Sequence, residues 1–120
     1  LNPLGTQIIA DMHDCDPAAL DDLQGVGDAM LEAARRGGAR IVAHNFHRFS
    51  PHGISGVVII AESHLAIHTW PEHRFAAIDL FTCSDTVQTD LCLAYLQQFF
   101  RSERVVTSTL RRGELRPPGP

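Results

Sequence analysis

Between Ala61 and Glu72 the chain sets two carboxylates, a serine, two histidines and a tryptophan in one short run, Ala61-Glu62-Ser63-His64-Leu65-Ala66-Ile67-His68-Thr69-Trp70-Pro71-Glu72. Cys83 follows at the end of the next apolar stretch. Hydroxyl, imidazole, thiol and carboxylate together are the material of nucleophilic and acid–base chemistry. Spacing bears on two such chemistries. His64, His68 and Cys83 are zinc-type ligands. On a strand, however, the two histidines stand about 13 Å apart at ~3.3 Å per residue. Helical spacing would bring them together, but Ile67-His68-Thr69-Trp70-Pro71 is not helical sequence, so no metal is expected. A hydrolase built on Ser63 and His68 would need a G-x-S-x-G elbow, and none surrounds Ser63. Taken residue by residue, Glu62 and Ser63 read as a polar strand break, His68 as a core histidine and Cys83 as a buried strand-end thiol.

The elements that must position these groups follow from patterning. Leu4–Met12 reads as a strand. Asp16 and Pro17 form a helix start, with Asp16 capping and Pro17 in the first turn. Leu20, Leu23, Val26, Leu31 and Ala34 then recur at helical spacing until Gly37-Gly38. Arg40–His47 is a second strand, and Arg48–Gly53 a loop with turn chemistry. Ile54–Ala61 is a third strand. Leu65–Trp70 either continues it after a break or starts the next one. Pro71–Arg74 turns into a strand over Phe75–Cys83. Ser84-Asp85 is a helix entry, and Leu91, Tyr95, Leu96 and Phe99 mark a helix over Thr86–Phe100. Arg104–Leu110 is a last strand, and residues 111–120 are expected to be a disordered tail. The order β-α-β-β-(β)-α-β predicts an α/β (α+β) two-layer sandwich, a mostly antiparallel sheet with two helices on one face. The uncovered face needs a partner, so a homodimer is expected. The 120 residues make one domain.

Composition narrows the chemistry further. A net charge of -4 argues against nucleic acid as a partner. No apolar run approaches the ~20 residues that span a bilayer, and no signal peptide is visible, so neither a membrane nor an export role is expected. Three cysteines with no CxxC pair suit a reducing, cytoplasmic setting. All ten basic residues are arginine. A chain without lysine cannot anchor pyridoxal phosphate as a Schiff base, so a carbonyl cofactor would have to arise another way.

Gly5, Cys15-Asp16, the run Phe46-His47-Arg48-Phe49-Ser50-Pro51-His52-Gly53-Ile54-Ser55-Gly56, the stretch Ala61–Glu72 and Ala77-Ile78-Asp79-Leu80-Phe81-Thr82-Cys83 together resemble prokaryotic S-adenosylmethionine decarboxylase, in order and spacing, to about Leu110. The resemblance implies a self-processing enzyme of polyamine (spermidine) biosynthesis. The chain would be cut between Glu62 and Ser63. Ser63 would become a pyruvoyl group that holds the substrate amine as a Schiff base and serves as electron sink. By the same resemblance His68 takes part in processing, Ser55 supports it, and Cys83 donates the proton that replaces CO₂. Phe49 would stack on adenine, Glu72 accept from the ribose, and Trp70 wall the site. Active sites would form at the interface of a homodimer of cleaved protomers, with S-adenosylmethionine as substrate.

Three positions depart from the family pattern. Ser84 stands where glycine is usual, Arg74-Phe75 where a Gly-Tyr pair is common, and His13 where tyrosine is frequent. Arg74 could pair with Glu72 and compete with a ribose. Ornithine or arginine is therefore an alternative substrate. An unprocessed, non-catalytic paralogue with a binding role is the alternative of a different class.

Overall fold

The computed structural model describes residues 3–61 and 63–116. Glu62 and the last four residues of the expected tail, 117–120, lie outside the described residues. Six strands form one sheet: β1 (Gly5–His13), β2 (Ile41–Arg48), β3 (Ile54–Ile60), β4 (Ser63–Trp70), β5 (Phe75–Thr82) and β6 (Arg104–Arg112). Their spatial order is β2-β3-β4-β5-β1-β6. Every neighbouring pair is antiparallel. The helices are α1 (Pro17–Leu20), α2 (Leu23–Arg36) and α3 (Thr89–Phe100). The expected two-layer arrangement is the one observed.

Strand alternation explains the layering. On β5 the even positions Ala76, Ile78, Leu80 and Thr82 are buried, and on β4 the odd positions Leu65, Ile67 and Thr69 are. These side chains pack with Val26, Met30 and Ala33 of α2 and with Cys92, Leu96 and Phe100 of α3. At the sheet margin Gly56 faces the Phe46 ring so closely that a Cβ there would collide with it. The opposite face has no helix over it among the described residues. It leaves Ile59 47%, Trp70 40% and Val106 46% exposed.

The first expected helix is two helices. Asp16 caps α1 by accepting from Ala18 N–H, and Asp22 caps α2 by accepting from Gly25 N–H. A second cap inside the run starts a second helix and frees Asp21 to turn outward. The second expected helix starts three residues late, at Thr89. Ser84 Oγ accepts from Thr86 N–H at 3.1 Å, a local bond that competes with helix formation. Leu65–Trp70 belongs to a new strand, which already begins at Ser63. β6 runs to Arg112, two residues past the expected strand end and into the expected tail. Leu4 N–H donates to Gly113 O at 3.2 Å just beyond it.

Candidate active site

Ser63 is the first residue of β4. It lies opposite Ile60 on β3 and Thr82 on β5. β3 ends at Ile60 and β4 begins at Ser63, its register partner, so Ser63 opens the second strand of a hairpin. The Ser63 hydroxyl donates to Thr82 Oγ1 at 2.9 Å. Thr82, 7% exposed, donates in turn to Ser84 O at 3.1 Å and accepts from Ser84 N–H at 3.0 Å. Cys83 comes next in the chain, and its thiol is free and exposed. The reading of Cys83 as a buried structural thiol therefore fails. An open cleft of about 590 Å³ runs past Gly5, Thr82, Cys83, Ser84 and Arg111.

A second group gathers toward the other end of β4. Ser55 and His68 are register partners, and Ser55 Oγ lies 2.7 Å from His68 Nδ1. A cleft of about 360 Å³ beside them is lined by Phe49, His52, Ser55, His68, Trp70 and Glu72. The Trp70 ring leans on Phe75 with centroids 5.5 Å apart. Phe49 is 49% exposed, and its ring meets His47 edge-on with centroids 4.6 Å apart. Glu72 Oε2 meets His52 Nε2 at 2.7 Å. His52, rather than Arg74, is thus the partner of Glu72. That hydrogen bond comes first among the causes holding the Glu72 carboxyl below its ordinary range.

The loop between β2 and β3 carries Phe49 and His52, and Asp21 secures both of its ends. Arg48 Nη2 donates to Asp21 Oδ2 at 2.7 Å, and Gly53 N–H donates to Asp21 Oδ1 at 3.0 Å. Gly53 has φ +102°, a conformation that favours glycine. Phe49 N–H closes the loop onto Gly53 O at 2.8 Å. The Arg48 bond and then the Gly53 bond hold the Asp21 carboxyl below its usual value.

The two groups do not meet within one chain. Ser63 and His68 are five residues apart on β4, which is about 16 Å at ~3.3 Å per residue. An odd separation also points them to opposite faces of the sheet. Ser63 thus pairs with Thr82, the residue before Cys83, and His68 lines a cleft with Ser55, Phe49, Trp70 and Glu72. His64, the other histidine of the motif, stacks on Phe81. Among the described residues, no three His, Cys, Asp or Glu side chains gather closely enough to hold a metal ion, and no helix is long and apolar enough to cross a membrane. In the sequence Asp21 falls at a polar position inside the first expected helix, and Thr82 and His52 carry no signal of a role. Asp21 had one available signal, the doubled Asp21-Asp22, of which only one residue can cap.

Comparison with known proteins places the site in context. The sequence model described as S-adenosylmethionine decarboxylase matches residues 6–113. An S-adenosylmethionine decarboxylase proenzyme of Acidithiobacillus ferrooxidans is 52% identical over 115 residues, 96% of this chain and 86% of that protein. One from Thermosipho melanesiensis is 46% identical over 114 residues, 95% of this chain and 88% of that one. The crystal structure of the adenosylmethionine decarboxylase from Aquifex aeolicus superposes with a TM-score of 0.89 at 28% identity, covering 100% of this chain and 99% of that one.

Proposed function

The chain belongs to the S-adenosylmethionine decarboxylase family, and from that membership we propose how its own residues carry out the reaction. The protein is a carboxy-lyase that converts S-adenosylmethionine to its decarboxylated form, the aminopropyl donor for spermidine. Its first reaction is on itself. Ser63 Oγ attacks the Glu62 carbonyl carbon, the C–N bond breaks, and the Ser63 nitrogen takes a proton, leaving an ester. Loss of the Ser63 α-proton expels the Glu62 carboxylate from Cβ. The resulting enamine tautomerises, and water releases ammonia to leave a pyruvoyl group at position 63. Once formed, that ketone supplies the electron sink for loss of the substrate's carboxylate.

The observation that carries this reading is the place of the bond. A cut at the tip of the β3–β4 hairpin leaves β3 paired to β2 and β4 paired to β5, so the sheet survives cleavage with its ladders intact. An internal cut elsewhere in β4 would sever a strand that is paired on both edges.

A second copy completes the site. Ser63 and Cys83 of one protomer act with Ser55, His68, Phe49 and Glu72 of the other. The separation of the two groups within one chain supports this, as does the half-apolar sheet face without a helix over it. The His68 imidazole assists the elimination, and Ser55 Oγ, 2.7 Å from its Nδ1, steadies the ring. The Phe49 face takes the adenine. Glu72, ionised, accepts from the ribose hydroxyls and complements the sulfonium charge. The Cys83 thiol returns the proton to Cα. The three free cysteines fit a cytoplasmic setting. The test is CO₂ release from S-adenosylmethionine, ornithine and arginine side by side, with a denaturing gel of the same sample. Two chains and turnover of S-adenosylmethionine support the reading. Turnover of ornithine or arginine alone would replace the substrate, and an inert single chain would replace the enzyme.

A further inference from the structure

We propose that Thr82 is the residue that orients the Ser63 hydroxyl for attack on the Glu62 carbonyl. The inference rests on the reading that Ser63 cuts the chain. A threonine hydroxyl has one proton and two lone pairs. Here the proton goes to Ser84 O at 3.1 Å, and one lone pair takes Ser84 N–H at 3.0 Å. Both commitments are to backbone atoms, which cannot rotate away, and the β-branched side chain has a stiff χ1. What remains is a single lone pair, and it receives the Ser63 proton at 2.9 Å.

Thr82 is therefore a fixed acceptor with nothing left to donate. It turns the Ser63 proton toward β5 and leaves the lone pairs of Ser63 Oγ for the adjoining carbonyl. Cross-strand register holds the two residues opposite one another. Thr82 is 7% exposed and the bond itself is part-buried, which limits competition from water. An alcohol is too weak a base to remove the serine proton, so Thr82 is a positioning residue. General-base chemistry is left to other groups.

The experiment follows cleavage of freshly purified precursor by gel and intact mass, with thermal unfolding of each variant as a control. Thr82→Val keeps the shape and removes the acceptor, and cleavage slows roughly tenfold, the worth of one oriented hydrogen bond. Thr82→Ser keeps the acceptor and restores a rate within about twofold of wild type. Thr86→Val breaks the Ser84–Thr86 side-chain bond of the same turn but spares Thr82, and it cleaves at the wild-type rate. Hydroxylamine, which cuts esters and not amides, fails to rescue Thr82→Val because the ester does not accumulate. Should Thr82→Val not fold, Thr82→Ala is read against Thr82→Ser in its place. Wild-type cleavage by the valine variant, equal slowing by Thr86→Val, or full hydroxylamine rescue would each overturn the role. An uncut wild-type chain would instead overturn the parent reading.

Discussion

Removing the Asp21 carboxylate loosens the loop that presents Phe49 and His52 without touching the residues around Ser63. Asp21→Ala deletes a 2.7 Å bond from Arg48 and a 3.0 Å bond from Gly53 N–H. A hydrogen bond to a charged group contributes about 1.5–3 kcal/mol when sheltered. The Arg48 side chain is 43% exposed and that of Asp21 28%, so solvent screening reduces the ion pair to about 1 kcal/mol or less. With about 1 kcal/mol for the Gly53 bond, the variant loses about 1–2 kcal/mol. Where part of that energy pre-orders the cleft lined by Phe49 and Glu72, KM for S-adenosylmethionine rises by up to about tenfold, while kcat and self-cleavage stay near wild type. Steady-state kinetics and the denaturant midpoint measure the two effects. The sign with pH follows from the lowered Asp21 pKa. Its stabilisation is present above the unfolded carboxyl value of about 4 and is lost as pH falls through the lower folded value. Asp21→Asn removes that acid-range component. An unchanged KM in Asp21→Ala, or slowed self-cleavage, would refute the argument that Asp21 serves the pocket.

Cys83→Ala should cleave normally and decarboxylate poorly, as seen on a gel and in CO₂ release; failure to cleave would move Cys83 from proton donor to processing. Mixing Cys83→Ala with Phe49→Ala chains should restore activity to about a quarter of wild type in a random pairing, because one intact shared site forms per mixed dimer; no recovery would place each site within one chain. Arg74 adopts φ 51°, a left-handed conformation that costs a non-glycine residue about 1 kcal/mol. Arg74→Gly should therefore raise stability by at most about 0.5 kcal/mol, because glycine's greater freedom when unfolded takes back roughly 0.5–1 kcal/mol, seen as a slightly higher denaturant midpoint.

The features legible beforehand were those encoded within a few residues. Asp16-Pro17 announced α1, Gly37-Gly38 ended α2, and alternation placed the strands. The chemistry-bearing stretch Ala61–Glu72 stood out because its residues are contiguous, while its division into two strands stayed open. What the sequence concealed are long-range contacts. Asp21 reaches partners 27 and 32 positions away, which no local pattern reports. The pairing of Glu72 with His52 over the nearer Arg74 depends on how the β2–β3 loop folds back over β4. The position of β1 between β5 and β6 decides which edges of the sheet stay open. Helix propensity also misled where side chains satisfy the backbone locally, at Asp22 and again at Ser84 and Thr86.

Intact mass spectrometry under denaturing conditions measures the broken bond and the new carbonyl at once. Self-processing yields two chains divided between Glu62 and Ser63. The second must be lighter by one ammonia than a serine-initiated chain and must gain a carbonyl-reactive label. A single chain with Ser63 intact, or a second chain that begins with an ordinary serine, would contradict it.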